Sequence, residues 1–300
     1  MDNELIQSYS WCEKVTRNKA KNFYYGLRLL PKPRRLAAYA FYAFCRDCDD
    51  ISDDEGSSNR NLRLAEWHRR LSDDGGNSTW PGLLAFRHAM ETYSIPKRFL
   101  HELVDGTTMD LTPRSYADFQ DTYTYCYHVA STVGLVCVHL FGFDPKDQAE
   151  VYRLAETQGQ AFQLTNIMRD VSEDVSLQRR YLPDCLLERC HVTPAELASQ
   201  KNNAGTRQLY AKMLELTESY YRLCAPLPRF IEPESRACLR ALTVIYHGVA
   251  RKLAKLGPEA LKKRARLNKA EKLLWMSYAL LLGGAELAWY KTKKWLTSRR

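Results

Sequence analysis

Residues 42–55, YAFCRDCDDISDDE, carry six carboxylates in fourteen residues of a chain whose formal net charge is +9. Just ahead of them Leu36, Ala37, Tyr39, Ala40, Ala43 and Phe44 recur at helical spacing, which predicts one helix from residue 33 to about 54, ended at Glu55-Gly56-Ser57. On that helix Asp49 and Asp53 stand one turn apart on one face, and Asp50 and Asp54 repeat the relation a third of a turn round. Such carboxylates meet the negative end of the helix dipole and repel one another, so both effects oppose the arrangement. A divalent cation removes both penalties. One or two carboxylates completed by waters and substrate phosphates is the oxygen set that Mg²⁺ prefers.

The same pattern returns at residues 163–183, QLTNIMRDVSEDVSLQRRYLP, where Asp170 and Asp174 are four apart with Glu173 beside them. Gln163 and Asn166 fall on the same stripe at three- and four-residue steps. An arginine accompanies each set: Arg46 three residues before Asp49, and Arg169 next to Asp170. Guanidinium is the natural bidentate partner of phosphate, so the pairing points to metal ions shared with a phosphorylated ligand. A solvated face is the ordinary reading of either motif alone. A solvated face mixes signs, however, and Asp49, Asp50, Asp53, Asp54 and Glu55 have no Lys or Arg among them.

Elsewhere 3.6-residue periodicity dominates, alternating β patterns are scarce, and neither a linker nor a fixed-length repeat is visible. At 300 residues and 45% apolar composition, the expectation is an all-α fold forming one domain over residues 1–300, ending in a basic tail at 291–300. Residues 116–141 are apolar around much of their circumference and should be central, with Ala130, Ser131, Thr132 and Gly134 small enough for a helix or ligand to approach closely. The opening MDNELIQSYSW lacks the sections of a signal peptide, which predicts a cytoplasmic protein. Residues 273–290 approach the length of a membrane span but contain Glu286 and Gly283-Gly284, so a core helix is expected there, with basic flanks that also suit a surface-lying role against anionic lipid. No nucleic-acid motif accompanies the high pI. The nine cysteines are an odd, irregular set in which Cys45 and Cys48 read as packing residues, and His128 and His247 read as core or polar-lining side chains rather than metal ligands.

Five segments in order, FYYGLRLLP (23–31), YAFCRDCDDISDD (42–54), YCYHVASTVG (125–134), QLTNIMRDVSEDV (163–175) and RRYLP (179–183), resemble the squalene and phytoene synthases, which join two prenyl diphosphates head to head. The resemblance implies a prenyl synthase helical bundle around a central apolar cavity, with two facing acidic helices near its mouth and several Mg²⁺ ions bridging them to diphosphate. It implies metal-binding roles for Asp49, Asp50, Asp53, Asp170 and Asp174. Tyr42, Arg46, Gln163, Asn166, Arg169 and Arg179 match positions that hold diphosphate, metal or the water network. Phe23 and Tyr125 match cavity positions near the reacting carbons, and Tyr246 is similar to a late tyrosine near the phosphates; Tyr125, Arg46 and Arg169 are the catalytic expectation. Departures occur at Lys21 and Asn22, at Ser131 in place of the usual Gly, and at Arg180 in place of an apolar residue.

The chemistry suits these residues. Ionising an allylic C–O bond requires the leaving diphosphate to be neutralised, and the resulting cation requires a dry, apolar or aromatic chamber, for which the chain has eighteen Tyr and ten Phe. The expected reaction joins two farnesyl diphosphates to presqualene diphosphate, with NADPH needed only if it continues to squalene. The alternative is the geranylgeranyl route to phytoene, and a non-catalytic relative would be expected to lose the acidic pairs. The expected partners are prenyl diphosphates and a peripheral membrane surface, not nucleic acid.

Overall fold

The computed structural model describes residues 2–54, 56–72 and 79–297; among these the side chains of residues 21, 22, 289, 291 and 293–297 are not described. The expectation at Glu55, the side chains of the departures Lys21 and Asn22 and of most of the basic tail, and residues 298–300 therefore lie outside the described residues. The described chain is helical throughout, and its only β pairing is the two isolated bridges Tyr116–Pro183 and Phe143–Ile231.

The chain opens with α1 (Asn3–Lys19) and α2 (Lys21–Leu27), separated at Ala20, whose ψ of 18° breaks the helical path. Then α3 (Lys32–Ser52) starts behind an extended Pro31, with Pro33 in its first turn where no N–H is required. Ala37, Ala40, Phe41, Phe44, Cys48 and Ile51 form its buried stripe. Phe44 meets Trp67 of α4 (Arg60–Ser72) edge-on at 4.8 Å and stacks on Phe86 of α5 (Leu83–Thr92) at 4.7 Å, an aromatic cluster that anchors α3 in the core. The α6 helix (Lys97–Met109) begins after Pro96 and ends with Asp110 in its cap position.

The apolar stretch 116–141 forms α7 (Phe119–Cys126) and α8 (Thr132–Phe141), joined without a break by a π-helical turn over Tyr127–Ser131. Asp118 starts α7 by accepting the Asp121 N–H at 3.0 Å. Half of the span Phe119–Phe141 is buried inside the protein, as befits a core helix. Its small residues serve close approach to α9 (Gln148–Ser176): a Cβ placed on Gly159 would lie 2.5 Å from the Ser131 Cα, and one on Gly134 would lie 2.8 Å from the Ala155 carbonyl oxygen. Ser131 fits in place of glycine because its hydroxyl donates to the Glu156 carbonyl at 2.9 Å.

At 29 residues α9 is about 44 Å long and belongs to both large apolar clusters, giving Val151 and Leu154 to one and Leu164, Ile167 and Met168 to the other. Two short helices, α10 (Asp184–Arg189) and α11 (Pro194–Ala198), lead to α12 (Ala204–Cys224), whose first turn is capped by Asn203 accepting the Thr206 N–H at 2.9 Å. Next, α13 (Arg236–Leu256) places Leu239, Leu242 and Tyr246 along the central cavity.

The last helix, α14 (Lys269–Thr297), differs from expectation. It packs on α13 through Ala279 and Gly283 but leaves Leu273, Leu274 and Leu281 exposed, so 273–290 is a surface helix rather than a core one. Its apolar character comes from its outward face as well as its inward one. It also runs through most of the expected tail, to residue 297.

Candidate active site

A cavity of about 530 Å³ opens at one end of the bundle, lined by α2, α3, α6, α7, α8, α9 and α13. Its chemistry changes along its length because its wall helices change. The N-terminal half of α3 contributes Ala38 and Phe41, its middle Tyr42 and Cys45, and its last turns Asp49 and Asp53. Likewise α9 runs from Gly159 and Phe162 through Gln163 and Asn166 to Asp170 and Asp174. Leu27, Val138, Phe141 and Leu239 close the apolar end. The two acidic helix ends share the other: the Arg179 guanidinium, just past α9, lies 3.4 Å from Asp53 at the end of α3.

Of the residues singled out in the sequence, Phe23, Tyr42, Asp49, Asp53, Tyr125, Gln163, Asn166, Arg169, Asp170, Asp174, Arg179 and Tyr246 line this cavity. Arg46 and Asp50 do not; they pair with each other on the outer side of α3, with Lys19 3.9 Å from Asp50. Asp54 likewise turns outward to Arg63 at 3.0 Å. The helix thus sorts its carboxylates: Asp49 and Asp53 inward, Asp50 and Asp54 toward cations on the outside. Arg180, one of the departures, pairs with Asp184 at 3.2 Å and leaves the cavity to its neighbours Arg179 and Tyr181. Cys45 and Cys48 are free thiols, and every described cysteine is reduced. His128 bonds the Thr124 carbonyl oxygen and His247 pairs with Glu218, both in structural contacts.

The inward carboxylates are under electrostatic pressure. Burial pushes the Asp49 carboxyl up to about 7, with Asp53 and Asp110 adding to the rise against the pull of Arg46. By surface area Asp49 is nonetheless exposed, at the acidic end of the cavity that it lines, so the rise reflects protein packed around a carboxyl that is still open to solvent. Asp174 is likewise raised to about 7, by burial and then by Asp170 and Glu173. Asp170 is clasped by Arg169 at 2.6 Å and, from the loop ahead of α14, by Arg264 at 2.8 Å; Arg264 also holds Glu173 at 2.7 Å.

Three site residues carried no functional signal in the sequence. Asp110 is a half-buried carboxylate accepting from the Tyr181 hydroxyl at 2.8 Å and the Tyr125 hydroxyl at 3.1 Å, and those two rings stack at 4.5 Å. Burial raises its pKa, against the lowering effect of the two phenols. It follows α6 in TTMDL, where nothing marks it apart from other helix-end aspartates. Tyr181 lies in a quoted segment, but its contact with Asp110 spans 71 residues of sequence. Arg264 is one of six basic residues in KKRARLNKAEK, and only the fold selects it.

Aromatic rings line the middle of the chamber. Phe23 lies 5.6 Å from Tyr246, which stacks on Phe162 at 4.2 Å. Their faces are suited to a passing carbocation. Among the described residues no three His, Cys, Asp or Glu side chains converge as a complete metal site. The donors that do face one another, Asp49 with Asp53 and Asp170 with Asp174, are hard oxygens in pairs. That set fits Mg²⁺, which takes one or two carboxylates and fills its shell with water and phosphate; burial first and neighbouring carboxylates second raise Asp49 and Asp174, and a cation would favour their ionised forms against both.

The squalene/phytoene synthase family model matches residues 16–271. The phytoene synthase of Mycobacterium tuberculosis is 34% identical over 246 residues, covering 81% of this chain and 80% of that protein. The chloroplastic phytoene synthase of Daucus carota is 31% identical over 277 residues, covering 91% and 70%. Among solved structures, a ligand-bound dehydrosqualene synthase superposes with a TM-score of 0.85 at 24% identity, over 94% of this chain and 98% of that one. A squalene synthase from Alicyclobacillus acidocaldarius superposes with a TM-score of 0.78 at 24% identity, over 86% and 97%. The fold is therefore the all-α fold of those synthases, and the chain belongs to the squalene/phytoene synthase family.

Proposed function

We propose that this protein is a prenyltransferase that condenses two prenyl diphosphates head to head, and that Asp49, Asp53, Asp170 and Asp174 hold Mg²⁺ against the substrate diphosphates. The observation that carries this reading is the single cavity with acid at one end and apolar walls at the other, which suits a molecule with a charged head and a hydrocarbon tail. When bound, Mg²⁺ supplies neutralisation of the departing diphosphate.

The residues of the chain do the rest. Arg169 and Arg179 are the phosphate donors nearest the carboxylate pairs, and Gln163 and Asn166, bonded to each other at 3.2 Å, orient the polar layer between acid and hydrocarbon. Phe23, Tyr42 and Tyr246 face the region where the allylic cation forms and exclude water from it. Tyr125, held by Asp110, presents its ring at the same level, and burial keeps its phenol protonated. Arg46 acts from outside the chamber, through the charge that favours ionised Asp49, and Asp50 holds Arg46 in place.

For two farnesyl diphosphates the first half-reaction gives presqualene diphosphate, one free diphosphate and one proton. Continuing to squalene expels the second diphosphate and takes a hydride from NADPH. A second reading, two geranylgeranyl diphosphates to phytoene, is favoured by the relatives at 31 and 34% identity, both phytoene synthases. Incubating the purified protein with Mg²⁺ and either substrate, with and without NADPH, and identifying the hydrocarbon or diphosphate formed separates these outcomes. Failure to consume either substrate would refute the catalytic reading.

A further inference from the structure

The outward face of α14 inverts the pattern of an ordinary surface helix. Leu273, Leu274 and Leu281 are 67, 67 and 74% exposed, and Tyr278 and Leu280 lie open beside them, at the three- and four-residue steps of one helix side. Between Lys272 and Lys291 the sequence has one charged residue, Glu286. It turns inward, to Arg240 at 2.5 Å and Arg236 at 3.9 Å on α13. The helix therefore buries its charge and shows its leucines, where a helix facing only water does the reverse. Exposed leucines scattered singly need no explanation, but a continuous stripe marks a contact surface.

The charge at the two ends says what the contact is. Residues 262–272, KKRARLNKAEK, hold six basic residues against one acidic, and residues 291–300, KTKKWLTSRR, hold five basic and no acidic ones. Lys262, Lys263, Arg266 and Lys269 are exposed. Two copies meeting through this face would set basic ends against basic ends whether the helices ran parallel or antiparallel. An anionic bilayer satisfies both ends and the stripe together, the combination by which an interfacial helix binds. The tie from Glu286 to Arg236 and Arg240 keeps the helix on α13, lying along the surface rather than crossing it.

We infer that α14 is a membrane-docking element that seats the protein on an anionic lipid surface, with the leucine stripe at the headgroup boundary and the basic ends on lipid phosphates. This goes beyond the catalytic reading and does not depend on it. The test is flotation of the full chain with vesicles of phosphatidylcholine alone and of phosphatidylcholine mixed with phosphatidylglycerol, with light scattering to report oligomeric state. The wild-type protein floats with the mixed vesicles, and added salt weakens the association. The Leu274→Glu/Leu281→Glu variant binds at least about tenfold more weakly with its circular dichroism and melting temperature unchanged, since both leucines are already exposed. Lys269→Glu narrows the preference for anionic over neutral vesicles. The inference is overturned if the wild-type protein stays in solution with mixed vesicles, if the double variant floats equally well, or if the double variant instead splits a dimer that binds no vesicles.

Discussion

Arg179 and Asp53, 126 residues apart in the sequence, meet at 3.4 Å and join the end of α9 to the end of α3. The bridge stands at the acidic end of the cavity, where Asp53 and Arg179 both belong to the lining. Half of the Asp53 carboxylate faces open space, so the pair contributes little to stability. Under the proposed reaction its consequence is functional: it would hold the arginine assigned to phosphate next to a carboxylate assigned to Mg²⁺ until substrate arrives.

Arg179→Ala is therefore expected to raise KM for the prenyl diphosphate by about tenfold or more while changing the unfolding free energy by less than about 1 kcal/mol. Its neighbour supplies the control. Arg180→Ala removes an ion pair to Asp184 outside the cavity and should leave KM within about twofold of wild type. Steady-state kinetics and urea unfolding of both variants check this.

Tyr125→Phe removes one of the two hydroxyls that Asp110 accepts from, leaving Tyr181 at 2.8 Å. A lost hydrogen bond to a half-buried carboxylate is worth about 1.5–3 kcal/mol, and under the proposed reaction the ring that it orients faces the reacting carbons. The expected result is a kcat lower by about one to two orders of magnitude with KM little changed. A change confined to KM would show that Tyr125 serves binding alone.

The raised carboxyls make metal binding pH-dependent. Asp49 and Asp174 sit at about 7 in the metal-free protein, so near neutral pH each is partly protonated, and a cation must displace those protons. Mg²⁺ affinity should fall as pH drops below about 7, and calorimetry in buffers of different ionisation enthalpy should show proton release near pH 7 that disappears at clearly higher pH. The stability sign follows the same way. A carboxyl whose folded pKa is raised stabilises the folded state below its unfolded value, and that contribution is lost as pH rises through about 7. The melting temperature of the metal-free protein should therefore decline over that window, and Mg²⁺ should recover it.

Gly159→Ala tests the closeness of α9 and the π-helical turn. The new methyl would lie 2.5 Å from the Ser131 Cα and 2.7 Å from the Ala130 carbonyl oxygen, both on backbone that cannot swing aside. Overpacking of this kind costs about 1–3 kcal/mol, to be seen as a lower urea midpoint. The same shift moves Gln163 and Asn166, one and two turns along, so activity should fall with stability.

The acidic faces were legible because their logic is local: helical spacing places Asp49 with Asp53 and Asp170 with Asp174 whatever the tertiary fold. Which of four neighbouring aspartates turns inward was not, because that depends on how α3 is packed among the other helices and on partners such as Lys19 and Arg63 on other elements. Asp110, Tyr181 and Arg264 escaped notice for the same reason, since each is defined by a partner more than fifty residues away. The outer side of α14 misled in the opposite direction. A run of leucines reads as core in any sequence, and it is the fold, with Glu286 tied inward to α13, that leaves Leu273, Leu274 and Leu281 pointing out.

The most direct measurement of the central claim is Mg²⁺-dependent consumption of farnesyl and geranylgeranyl diphosphate by the wild-type protein, beside Asp49→Ala and Asp170→Ala, with products identified and helical content followed by circular dichroism. Two acidic faces acting on one diphosphate-loaded chamber predict turnover of at least one substrate by wild type, a loss of about a thousandfold or more in each variant, and unchanged helicity. Near-normal rates in both variants would contradict that account.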